Sequence, residues 1–64
     1  MSNLKDIRLK MGISQSGLSD ASGVNLRMIQ NYEQGAKDIN KAQGITLYKI
    51  AQILKCNIED LLEK

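Results

Sequence analysis

Four side chains in the middle of the chain, Arg27, Gln30, Asn31 and Gln34, recur at intervals of three and four residues, with Asn25 and Leu26 just ahead of them. Residues so spaced share one side of a helix. The chemistry open to them is recognition by hydrogen bonds. A guanidinium can give two donors to guanine O6 and N7, and a carboxamide can pair with the donor and acceptor of adenine. Leucine offers no donor but can touch a thymine methyl group. On composition alone, a solvated helix face is the favoured reading of the same residues.

The segments around them run from Gln15 to Gly35 and read as two short helices joined by a glycine turn. Ser14 is placed to cap the first by accepting a hydrogen bond from an otherwise unpaired backbone N–H, and Leu18 and Ala21 fall three apart on one face. Gly23 ends that helix. Asn25 caps the second, predicted over about Leu26 to Gln34, with Ile29 and Tyr32 inward. Gly35 closes it where a left-handed residue costs least. Two helices separated by about three residues match a helix-turn-helix, whose second helix can enter the DNA major groove.

Catalysis is set aside on the same reading. Gly12-Ile13-Ser14-Gln15-Ser16-Gly17 comes near a nucleophile elbow but carries its second glycine one place late, and no histidine is present to act as base. There is no phosphate-cradling or dinucleotide-binding glycine pattern. One cysteine permits no internal disulfide, and without histidine there is no Cys/His zinc cluster, so neither a metal nor a cofactor is expected. No small-molecule ligand is indicated.

The residues resemble the Cro/repressor (XRE-like) family of helix-turn-helix DNA-binding proteins. The resemblance rests on Ser14-Gln15 opening the first helix of the motif, Gly23-Val24 in the turn, Ile29 in the second helix and Glu33-Gln34-Gly35 at its end. It continues through Ile50 to Leu54 and the terminal Glu59 to Leu62. It implies an all-α fold, a compact five-helix repressor-like bundle with helices 2 and 3 as the motif. Asn25, Leu26, Arg27, Gln30, Asn31 and Gln34 become base-facing, with Arg27 and Asn31 foremost. Gln15 carries over as a phosphate contact beside Ser14, and an ion pair is implied between Arg8 and Glu33.

Taken in order, the chain begins with a helix in which Asn3 and Asp6 suggest a capping box and Leu4, Ile7, Arg8 and Met11 follow at helical spacing up to Gly12. Helix 2, about Gln15 to Ser22, is locally weak. Gly17 costs roughly 1 kcal/mol relative to alanine, and Ser19 and Ser22 stand where the family prefers alanine and a larger apolar residue. After the second motif helix, Ala36 to Gly44 brings Lys37 and Lys41, phosphate-contact candidates, around a helical turn begun by Asp38 or Asn40. Helix 4 starts at Gly44 or Thr46, with Leu47, Ile50, Ala51 and Leu54 as its inner stripe and Ile53 widening it. It stops near Lys55, a left-handed position if the family pattern holds. Cys56 is expected to be a buried structural thiol. Asn57 caps helix 5, whose apolar edge of Ile58, Leu61 and Leu62 is expected in part to complete the core, whatever is left exposed being the candidate dimer contact.

Sixty-four residues make one domain, residues 1–64. A chain this short buries only roughly 60% of its unfolded surface. Its formal charge is +2, with seven of nine basic but four of seven acidic residues in positions 1–49. No leader or membrane-length apolar run is evident, so a cytoplasmic protein without membrane contact is expected. The leading expectation is a sequence-specific, double-stranded DNA-binding transcriptional regulator, a repressor occupying an operator as a homodimer at least on DNA. The competing one is a protein-interaction module of the same shape, antitoxin-like or regulator-binding, that uses a Leu26/Met28 face.

Overall fold

Both caps expected in the central segment form. The Ser14 hydroxyl accepts from Gly17 N–H at 2.9 Å and the Asn25 side chain accepts from Arg27 N–H at 2.7 Å. They open α2 (Gln15–Ser22) and α3 (Leu26–Gln34). Gly23 and Gly35 end these helices at φ of 76° and 79°, a region that a side chain disfavours and glycine occupies freely. In this computed structural model, which describes residues 2–63, they are flanked by α1 (Asn3–Lys10), α4 (Gly44–Leu54) and α5 (Ile58–Leu61). A 3₁₀ turn, Ile39–Lys41, lies between α3 and α4. There is no strand among the described residues.

Each helix contributes to one core. Leu4, Leu18, Val24, Ile29, Tyr32, Ile39, Leu47, Ile50, Ala51, Leu54 and Leu61 are buried and in mutual contact. The stripe expected on α4 is buried throughout, with Ile53 half-buried at its edge. α2 packs on α3 and α4, and α1 packs on α3 and α5. The chain therefore closes on itself, and the two motif helices rest on α4 and α1 respectively.

Several expectations are corrected by this packing. The cap of α1 is Ser2, whose side chain accepts from Lys5 N–H, so Asn3 is the first helical residue. Asn3 instead donates its side-chain amide to the Leu62 carbonyl at 2.8 Å and its backbone N–H to Glu63 Oε2 at 2.6 Å. Met11, expected on the inner stripe of α1, is exposed at the helix end, and Ala21 is exposed where it was paired with Leu18. Leu61 is fully buried, because the single turn of α5 drives it between α1 and α4. It cannot serve as a dimer contact.

Two local rules are broken on α2 and both have a visible cause. A Cβ at Gly17 would stand 3.1 Å from the capping Ser14 oxygen and 3.4 Å from Ile13 Cγ2, so the glycine leaves room for the cap. Ser19 Oγ donates to the Val24 carbonyl at 2.6 Å. Ser22 Oγ donates to the Leu18 carbonyl at 2.7 Å and accepts from Val24 N–H at 3.2 Å. The serines that a packing argument would replace with apolar residues instead satisfy the backbone of the turn.

Candidate DNA-binding surface

α3 presents the central candidates according to its pitch. Ile29 and Tyr32 are buried, so the opposite side carries Arg27, Asn31 and Gln34 at i, i+4 and i+7, with Gln30 beside them. Arg27 and Gln34 are exposed; Gln30 and Asn31 are half-buried. Asn25 is exposed, and its side-chain oxygen is occupied by the cap. Its amide nitrogen remains the group available for outward contact. Leu26 is half-buried.

Leu26 and Met28 do not form a common face. They are two residues apart on a helix and point in different directions, and Met28 packs half-buried against the core. Exposed apolar side chains occur elsewhere, at Leu9 on α1, at Met11 just past its end and at Ile45, Tyr48 and Ile58 on α4 and α5. Tyr48 and Ile58 line one open groove with Gln52, Lys55 and Glu59. Of the three residues expected at a dimer contact, Ile58 lies on this outer surface, Leu62 is half-buried against the core and Leu61 is inside it.

Behind the motif, a charged cluster joins three helices. Arg8 donates from Nε to Glu33 Oε2 at 2.7 Å, from Nη2 to Glu33 Oε1 at 3.0 Å and from Nη1 to the Ile13 carbonyl at 2.8 Å. Gln15 Nε2 donates to the same Glu33 Oε1 at 3.0 Å. The Arg8 and Glu33 side chains are only 8% and 2% exposed, so this pair is withdrawn from water. Burial by itself would push the Glu33 carboxyl up. The hydrogen bonds from Arg8 and Gln15, with the charges of Arg8 and Lys5, outweigh it and hold the carboxyl below its ordinary value. The hydrogen bond to Glu33 likewise raises the Arg8 guanidinium against its desolvation.

Lys37 and Lys41 are both exposed and line one shallow depression with Tyr32, Asp38 and Ala42. The 3₁₀ turn that sets their spacing is capped by Asp38, whose Oδ1 accepts from Asn40 N–H at 2.9 Å, and is anchored by buried Ile39. Asn40 in turn accepts from Glu63 N–H at 2.8 Å and donates to the Glu63 carbonyl. Ser14 stands exposed at the start of α2, where unpaired N–H groups and the helix dipole favour an anion.

The helix-turn-helix family model matches residues 4–61, from the first core residue of α1 to the last of α5. The chain belongs to the Cro/C1-type, XRE-like helix-turn-helix family. No curated protein and no solved structure matches it. Membership makes this helix-turn-helix domain one of a family of DNA-binding regulators. α2 and α3 are then its motif pair. Among the described residues no helix is long and apolar enough to cross a membrane, and no group of three or more His, Cys, Asp or Glu side chains is gathered as a metal site would require.

Sequence reasoning did not single out Asn40, Ser19 or Ser22 as structural ties, nor Ile45 and Tyr48 as exposed apolar residues. The serines had a signal in the Ser-x-x-Ser-Gly run before the turn. The Asn40 tie spans 23 residues and had none.

Proposed function

We propose that this domain is a sequence-specific, double-stranded DNA-binding transcriptional regulator that acts as a repressor by occupying an operator in the cytoplasm. The observation that carries the reading is the outward row of Arg27, Asn31 and Gln34 on the helix that the family uses in the major groove. Arg27 and Asn31 read base edges, Gln30 and Gln34 extend the same surface, and Asn25 and Leu26 meet its leading end. Ser14, Gln15, Lys37 and Lys41 hold the backbone phosphates and set the register without reading sequence.

A homodimer on DNA follows from the same reading, since helix-turn-helix proteins commonly occupy half-sites about one turn apart. The surface that supports it contains Ile45, Tyr48 and Ile58, all exposed and apolar. Selection of bound sequences from a random duplex pool at moderate salt tests the proposal. An enriched motif with inverted half-sites is the expected result. Folded protein that enriches nothing would refute operator binding and turn attention to a protein partner.

A further inference from the structure

We infer that Glu33 is a positioning residue for DNA contact: it holds the Gln15 carboxamide at the start of α2 in one orientation, ready to give its remaining N–H to a phosphate. The inference rests on the DNA-binding reading above and assigns a role to a side chain that itself stays buried.

The orientation of Gln15 follows from its partner. An ionised carboxylate can only accept, so the nitrogen of the amide must face Glu33 Oε1; the reverse arrangement would set two acceptors 3.0 Å apart. One of the two Nε2 hydrogens is used, and one N–H and the carbonyl oxygen remain. The same Glu33 oxygen takes Arg8 Nη2, and Arg8 holds the Ile13 carbonyl, one residue before the Ser14 cap. The backbone entering α2 and the first side chain of α2 are thus fixed by one buried pair that spans α1 and α3.

This matters because α2 and α3 must meet DNA together. Apolar packing through Leu18 and Ile29 brings the two helices into contact but does not direct a polar side chain at the α2 end. A free glutamine loses rotamer freedom when it makes a contact, whereas one already held by Glu33 has lost it on folding. Arg8 also offsets the negative charge of Glu33, which would otherwise sit near an approaching phosphate.

The test measures binding of the parent, Gln15→Ala, Glu33→Asp and the double variant to one duplex recovered by selection and to a scrambled duplex. Glu33→Asp keeps a negative charge beside Arg8 but draws back the oxygen that Gln15 shares with Arg8 Nη2. Gln15→Ala should weaken both duplexes by roughly ten-fold, as expected for a hydrogen bond to a charged group. The slope of log affinity against log salt should not change, because a neutral amide displaces no counterion. Glu33→Asp should cost a similar factor, and the double variant no more than either. Losses that multiply, or a Gln15→Ala protein that binds like the parent, overturn the inference.

Side-chain amide exchange in the unaltered protein gives a second readout that does not depend on a variant folding. One Gln15 Nε2 proton should exchange more slowly than those of exposed Gln34. Equal, fast exchange at both residues would show that Gln15 is not held. If the parent binds neither duplex, the DNA-binding reading fails and this role falls with it; binding by the parent with additive losses removes only the role of Glu33.

Discussion

Arg8 and Glu33 face each other through a fork of two hydrogen bonds, Nε to Oε2 at 2.7 Å and Nη2 to Oε1 at 3.0 Å, on side chains almost closed to water. Desolvating both charges offsets much of their attraction, so the pair adds little net stability, but either charge left alone in that site is expensive. Glu33→Ala should therefore lower stability by ~3–5 kcal/mol. Replacing both partners, Arg8→Met with Glu33→Leu, should lose much less. Urea denaturation of the single and paired variants checks this, and equal losses would contradict it.

The same carboxylate gives stability a defined acid dependence. Its pKa lies lower in the folded than in the unfolded chain, so the unfolded state binds the proton more readily. The contribution of Glu33 is complete above the ordinary carboxylate value and is lost as pH falls through the lowered folded value. Denaturation midpoints measured from neutral pH down through the carboxylate range should fall. The Arg8→Met/Glu33→Leu protein should show a shallower fall, and identical profiles would place the acid sensitivity elsewhere.

What the sequence made legible was local. Ser14, Asn25, Gly23 and Gly35 act on backbone groups within a few residues, so residue type and position sufficed to place α2 and α3. The inner stripe of α4 was equally readable because three full turns repeat it. Helix α5 has only four residues, too few for a period, and which of Ile58, Leu61 and Leu62 turns inward is decided by α1 and α4. The ties from Asn3 to Leu62 and from Asn40 to Glu63 join segments 59 and 23 residues apart and leave no local pattern. The residues proposed to face DNA bases could be named only because a helical row and a family pattern coincide on them. Gln15 shows the limit: its position was readable, while the carboxylate that holds it lies 18 residues away.

Ile58 and Leu61 should separate cleanly on mutation. Leu61 is fully buried and Ile58 is 36% exposed. Leu61→Ala removes packed side-chain volume and should cost about 2–5 kcal/mol, whereas Ile58→Ala should change stability by much less. Thermal melts of the two variants provide the comparison. A large loss at Ile58 would mean that it already lies in a buried interface in solution.

Lys55 ends α4 at φ 55° and ψ 45°, the one described residue other than glycine with positive φ. The left-handed conformation is unfavourable for a side chain, by roughly 1–2 kcal/mol. Glycine relieves that strain but gains freedom in the unfolded chain, so Lys55→Gly should stabilise by roughly 1 kcal/mol or less. Gly35→Ala, at φ 79° with open space around the added carbon, should destabilise for the converse reason. Opposite shifts in melting temperature are expected, and a lower melting temperature for Lys55→Gly would show that its stem makes stabilising contacts.

Arg27 and Lys37 should differ in kind on DNA. Arg27 leads the outward row of α3, while Lys37 follows the helix end and shares a shallow depression with Lys41. A guanidinium paired with a base discriminates by ~1–3 kcal/mol, so Arg27→Ala should weaken the selected duplex by that amount and relax preference at one position. An ammonium on a phosphate reads no base but displaces a counterion. Lys37→Ala should weaken selected and scrambled duplexes alike and reduce the salt slope by about one unit. Titrations across a salt series distinguish the two. A sequence-independent loss at Arg27 would move it from base reading to backbone contact, and the recognition role would pass to Asn31 and its neighbours.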